Sequence, residues 1–143
     1  MPTHKPRPSM VLDTHAWLWL MEGSAKLGSR QRRRIEECAE HGRLLVSILS
    51  IWEIGMLESK SRILFEQDCA QWIQQALAVP GIELAPLTVD IALASTHLPG
   101  DFHGDPADRI IVATARAHAC PLVTADETIR RWADAGHLSV LAL

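Results

Sequence analysis

The sequence predicts an α/β fold, a parallel sheet covered by helices, and two observations carry that prediction. Short apolar runs at Met10–Leu12, Leu44–Ile48, Ile82–Leu84, Leu122–Val123 and Leu138–Leu141 have the length of strands. The longer segments between them carry apolar residues at helical spacing. Alternation of this kind implies parallel strands, because a chain laying one strand parallel to the last must first cross back over the sheet, usually as a helix. With 143 residues and 48% hydrophobic composition the chain fills one core, so one domain is expected over residues 10–143.

Residues 1–9, rich in proline and basic groups and without periodicity, read as a disordered leader outside that domain. The first strand is followed by helical spacing over His15–Met21 and Ser29–His41; in the latter Ile35, Cys38 and Ala39 share a face that Arg30, Arg32, Arg33 and Arg34 mostly avoid. The second strand leads to helices over Ser50–Ser59 and Asp68–Val79. The third leads to Val89–His97 and Pro106–His118, and the fourth to Glu127–Ala135 before the last apolar run. Each helical segment has Ser, Thr, Asp or Gly near at least one end, as helix boundaries require.

Composition narrows the function classes. No stretch approaches the roughly 20 apolar residues that span a bilayer, and the basic start is followed by no signal-peptide core, so a cytoplasmic protein is expected. Cys38, Cys69 and Cys120 are odd in number, show no CxxC spacing and read as small core residues. A net charge of −3 argues against a protein that grips nucleic acid by being basic overall, so any such role must be local. Five tryptophans in a chain with two phenylalanines and no tyrosine are expected mostly in the core, with one or two available to line a partner groove.

Acidic residues carry the chemistry. They lie in LDTHAW around Asp13, SIWEI around Glu53, GDPADRIIVATA around Asp105 and Asp108, and VTADE around Asp126. Each has a helix-start reading. Ser50 and Glu53 match an S-x-x-E capping box, Asp105-Pro106-Ala107-Asp108 supplies an N-cap, a first-turn proline and a first-turn acid, and Asp126 and Asp13 or Thr14 can cap as well. As a set they say more. Asp13 and Asp126 directly follow strands, Glu53 and Asp108 open helices leading off the sheet, and all four tend to the carboxyl rim where open α/β sheets bind ligands. Carboxylates gathered there repel one another unless protonated or neutralised by a cation. A hard divalent metal such as Mg²⁺ suits oxygen donors, activates water and offsets charge on a scissile phosphate, which points to phosphodiester hydrolysis.

The stretches VLDTHAWLW, SILSIWEIGM, HGDPADRIIVATA and PLVTADE resemble, in order and spacing, the motifs of PIN-domain ribonucleases, and more narrowly the VapC toxins of type II toxin–antitoxin systems. The resemblance runs from Met10 almost to Leu143. It implies a central five-stranded parallel sheet flanked by helices, a Mg²⁺ (or Mn²⁺) cofactor, and cleavage of structured RNA such as tRNA or rRNA. Carried over by position, Asp13, Glu53, Asp108 and Asp126 form the catalytic acidic core. Asp13 and Asp108 are the expected direct metal ligands, with Glu53 and Asp126 acting through water or orienting and deprotonating it. The resemblance further implies a homodimer and a VapB-like antitoxin whose tail fills a hydrophobic groove.

Three supporting residues have paired readings. Asp105 belongs to the DPxDR variant of the motif or is simply the N-cap. Arg109 meets substrate phosphate or pairs with a carboxylate. Thr124 orients a carboxylate or water, or caps a turn. The Arg30 to Arg34 run is either a basic collar for RNA or a solvated face. His97 and His103 are left out of the metal site, since a hard cation does not call for imidazole. Substrate-binding residues are not identified by the sequence. A PIN fold kept as an idle binding module would be expected to have lost an acid, and all four are present; a phosphoacceptor domain would want a lysine on a late strand, and the lysines are Lys5, Lys26 and Lys60. A DNA-directed nuclease stays open, because acidic metal chemistry does not read the sugar.

Overall fold

The structure, a computed structural model, describes residues 7–143. Five parallel strands form one sheet in the order β3-β2-β1-β4-β5. They are β1 (Ser9–Leu12), β2 (Arg43–Ser47), β3 (Ile82–Ala85), β4 (Leu122–Thr124) and β5 (Val140–Ala142). The helices are α1 (Thr14–Glu22), α2 (Ser29–His41), α3 (Ile48–Ser59), α4 (Cys69–Leu77), α5 (Val89–Thr96), α6 (Pro106–Ala117) and α7 (Glu127–Trp132). A wider turn over Ala133–His137 extends α7 and kinks at Gly136, whose φ of 92° is left-handed. The α/β architecture with a five-stranded parallel sheet between helices is as the sequence led us to expect.

Strand order decides where the helices lie. The chain moves from β1 to β2 and β3 in one direction, then returns past β1 to β4 and β5 in the other. Right-handed crossovers therefore place the two sets of helices on opposite faces. Side-chain alternation along the strands feeds both layers. Met10, Leu12, Leu44 and Val46 face a cluster containing Trp17, Ile35 and Ile54, whereas Val11, Leu45 and Leu122 face one containing Phe102, Ile111, Val112 and Trp132. Strands buried on both faces are apolar throughout, which is why they read as runs and not as alternation.

Several boundaries differ from the expectation. Residues 1–6 of the anticipated leader lie outside the described residues. Ser9 is already the first residue of β1, and the Pro8 carbonyl accepts from the Arg43 amide at 2.9 Å, so pairing begins inside that stretch. The capping box at Ser50 is not formed. Ser47 caps α3, its side chain accepting from the Leu49 amide at 3.1 Å, and Ser50 is fully buried one turn inside. Ile48, read as the end of a strand, is consequently the first helical residue. Cys38 and Cys120 are buried and Cys69 half-buried. Of the tryptophans, Trp17 and Trp132 are buried while Trp52 is 58% exposed. No helix among the described residues is long and apolar enough to cross a membrane.

Candidate active site

The point where the strand order reverses lies between β1 and β4, and a cavity of about 420 Å³ opens beside their carboxyl ends. Asp13, Glu53, Asp105, Asp108 and Asp126 all line it. Residues from four separate stretches of sequence thus meet at the switch point, where open α/β sheets leave a crevice.

Local helix-start chemistry fixes most of these acids. Asp13 follows β1, its amide bonded to the Val123 carbonyl of β4 at 3.1 Å, and its Oδ1 caps α1 by accepting from the Ala16 amide at 2.8 Å. Asp126 caps α7 through the Ile129 amide at 3.0 Å, and Asp105 caps α6 through the Asp108 amide at 2.8 Å. Capping and membership of the site are therefore compatible readings. One carboxylate oxygen is used by the helix, and the rigidity this confers is passed to the rest of the group.

Glu53 is held differently, by a chain of hydroxyls. Thr14 Oγ1 lies 2.5 Å from Glu53 Oε1 and 2.9 Å from Ser50 Oγ, with Thr14 3% and Ser50 0% exposed. Thr14 has one proton to give. An ionised Glu53 takes it, so the Ser50 hydroxyl must donate to Thr14, and the chain runs Ser50 to Thr14 to Glu53. The sequence reading considered Thr14 only as an alternative cap and Ser50 only as part of the capping box. Their shared signal was two hydroxyls, each within three residues of a candidate acid.

Thr124 is the last residue of β4. Fully buried, it accepts from the Asp126 amide at 3.0 Å, closing the turn after β4, and its hydroxyl bonds to the Asp13 side chain. Arg109 forms no ion pair with a carboxylate among the described residues. Its guanidinium donates to the Phe102 carbonyl at 2.7 Å and to the Ser95 carbonyl at 3.3 Å, and it lies over the Phe102 ring. One residue along a helix from Asp108 is about 100° around its axis, which turns Arg109 toward α5 and the loop before α6. His15 and Trp19, which the sequence reading did not place here, line the cavity from α1, while the His97 ring bonds the Thr96 hydroxyl instead.

Crowding of acids has an electrostatic cost. Burial, then the charges of Asp105, Glu53 and Asp126, push the Asp108 carboxyl up to about 7. Burial also raises Glu53, against the bond from Thr14, with Asp105 and Asp13 adding to the rise and His15 opposing it. Asp13 is raised by burial despite its bonds to Thr124 and Ala16. A bound cation would reverse this penalty. Glu53, Asp105 and Asp108 each offer an oxygen within 4.8 Å of the others, an all-oxygen donor set suited to a hard divalent ion. Of the expected pair, Asp108 belongs to this group, together with Asp105 and Glu53, while Asp13 lines the same cavity from the end of β1.

Residues 10–135 match the PIN domain family. The chain is 32% identical over 122 residues to Ribonuclease VapC22 of Mycobacterium tuberculosis (strain ATCC 25618 / H37Rv), an alignment spanning 85% of this chain and 90% of that protein. Solved structures share the fold. A Rickettsia felis VapBC2 complex bound to a promoter DNA fragment matches with a TM-score of 0.68 and 16% identity, over 94% of this chain and 98% of its counterpart. VapBC-5 from Mycobacterium tuberculosis matches with a TM-score of 0.59 and 20% identity over the same shares.

Proposed function

The chain belongs to the PIN domain family, among the VapC relatives, and from that premise we propose that it is a metal-dependent endoribonuclease, the toxin of a toxin–antitoxin pair. The observation that carries the reading is the meeting of Asp13, Glu53, Asp105, Asp108 and Asp126 in one cavity at the sheet's switch point. The proposed substrate is structured RNA, with tRNA or rRNA as the expected targets, and the proposed cofactor is Mg²⁺ or Mn²⁺.

Asp13 and Asp108 are the proposed direct ligands, and the geometry supports adding an oxygen of Asp105, whose other oxygen caps α6. When bound, the ion supplies positive charge at the scissile phosphate and lowers the pKa of water. The protein's own part is orientation. Ser50 and Thr14 hold one oxygen of Glu53, and Thr124 and the Ala16 amide hold Asp13. Glu53 and Asp126 are proposed to position and deprotonate the attacking water. Arg109, by tying the Phe102 carbonyl, holds the loop that delivers Asp105 and Asp108.

The proposed protein partners are a VapB-like antitoxin and a second copy of this chain. Support comes from exposed apolar side chains, with Ile48, Trp52 and Met56 forming an i, i+4, i+8 stripe on α3 and Val89 and Leu93 a pair on α5. Exposed apolar surface of that kind is expected where another protein docks.

The test is cleavage of total RNA by antitoxin-free protein in Mg²⁺ or Mn²⁺, beside EDTA and Asp13→Asn controls. Discrete fragments that disappear in both controls are expected. Intact RNA in every lane, from folded protein that binds Mn²⁺, would overturn the endonuclease reading.

A further inference from the structure

The cavity is too large and too lopsided to serve an ion alone. A divalent ion with six waters fills roughly 180 Å³ at about 30 Å³ per water, whereas the cavity measures about 420 Å³. The remaining space is large enough for part of a substrate. Five of its lining residues are carboxylates, which repel the phosphates of an incoming strand except where a metal screens them.

Its other wall has the opposite character. His15 and Trp19, one turn apart on α1, are the aromatic residues that line the cavity, with ring centroids 6.0 Å apart. Lys26, exposed beyond the end of α1, sets its ammonium 5.5 Å from the Trp19 ring centroid. Trp17, on the same helix, is fully buried in the core, its ring tilted against Trp72, so α1 sends one tryptophan inward and keeps the other half-buried at the cavity. An aromatic side chain with an ammonium beside it is the combination that holds single-stranded nucleic acid, the ring stacking on a base and the cation meeting the backbone.

We propose that the α1 wall, Trp19 with His15 and Lys26, is the subsite that stacks the nucleobase next to the scissile phosphate. The inference rests on the nuclease reading above and deepens it. It assigns the acids to the phosphate and α1 to the neighbouring base. Stacking accepts every base, so this wall contributes affinity and leaves sequence choice to other contacts.

The experiment follows binding of a fluorescein-labelled single-stranded octaribonucleotide of mixed sequence by anisotropy in Mn²⁺. Parent and variants all carry Asp13→Asn to prevent cleavage. Trp19→Leu retains apolar packing and removes the stacking ring, and its binding is expected to weaken between about 5-fold and 100-fold. Trp19→Phe is expected to stay within about 3-fold of the parent, and Lys26→Ala to lower the salt dependence by about one phosphate contact. With Asp13 restored, Trp19→Leu is expected to raise KM for RNA cleavage while kcat is kept. Unaltered binding in Trp19→Leu, or a loss that phenylalanine does not recover, overturns the subsite. So does a Trp19→Leu variant that binds RNA normally and changes only its oligomeric state, which would make the wall a protein contact. Cleavage by the wild-type protein with KM unchanged in Trp19→Leu sinks this inference alone. Wild-type protein that neither binds nor cleaves RNA sinks the nuclease reading with it.

Discussion

Replacing Thr14 by valine keeps the side chain's shape and removes the one proton on which the hydroxyl chain turns. Glu53 loses its donor, a hydrogen bond to a charged group worth about 1.5–3 kcal/mol, and Ser50, 0% exposed, keeps a hydroxyl with nowhere to donate, at about 1–3 kcal/mol. The added methyl returns about 0.8 kcal/mol of apolar burial. The net destabilisation expected is about 2–5 kcal/mol, which for a chain of this size lowers Tm by roughly 5–17 °C. Urea denaturation measures it directly. Thr14→Ser retains the proton and should lose far less. Adding Ser50→Ala to Thr14→Val should recover about 1 kcal/mol by removing the stranded hydroxyl, a coupling that a double-mutant cycle isolates. The reasoning is refuted if Thr14→Val lies within about 0.5 kcal/mol of wild type, or if serine costs as much as valine.

Metal-free protein should lose stability as pH rises from about 4 to 7. The native Asp108 carboxyl, at about 7 against an ordinary 3.8, holds its proton over that window while the unfolded chain has released it, and raised Glu53 and Asp13 act in the same direction. Thermal melts across the range with and without Mn²⁺ check this, the ion being expected to flatten the slope. Arg109→Met should cost about 1–3 kcal/mol by leaving the Phe102 and Ser95 carbonyls without their charged donor, with faster hydrogen exchange in the loop before α6 as the specific readout. Gly104→Ala should place a methyl against the Phe102 ring and 2.9 Å from Asp108 Cβ; a loss of about 1–3 kcal/mol is expected together with weaker Mn²⁺ binding by calorimetry.

The fold was legible because apolar runs of strand length alternate with helical spacing, and backbone sterics leave few ways to join such elements. Its edges were less so. Ile48 continues the apolar run of β2, and only the cap bond of Ser47 decides that the helix has already begun. Of the site, Asp13, Asp105, Asp108 and Asp126 were readable because each sits close to a turn from strand to helix or at a helix start, whereas Glu53, expected to open its helix, lies more than a turn inside α3 because Ser47 starts it early. The links between them were not. Thr14 meets Ser50 and Glu53 across 36 and 39 positions of chain, and no local pattern encodes that encounter. The orientation of Arg109 was hidden for a related reason: adjacency to Asp108 in sequence says nothing of which side of α6 packs on α5.

The switch-point location of the cavity also bears on when the protein can act. Asp13 is made well before Asp126, which lies beyond β4, and β4 must slide in beside β1 before the cavity has its second edge. A nascent chain still lacking that strand holds Asp13, Glu53 and even Asp108 without the frame that brings them together. The cavity is therefore completed only when β4 docks, after Asp13, Glu53 and Asp108 have all been made.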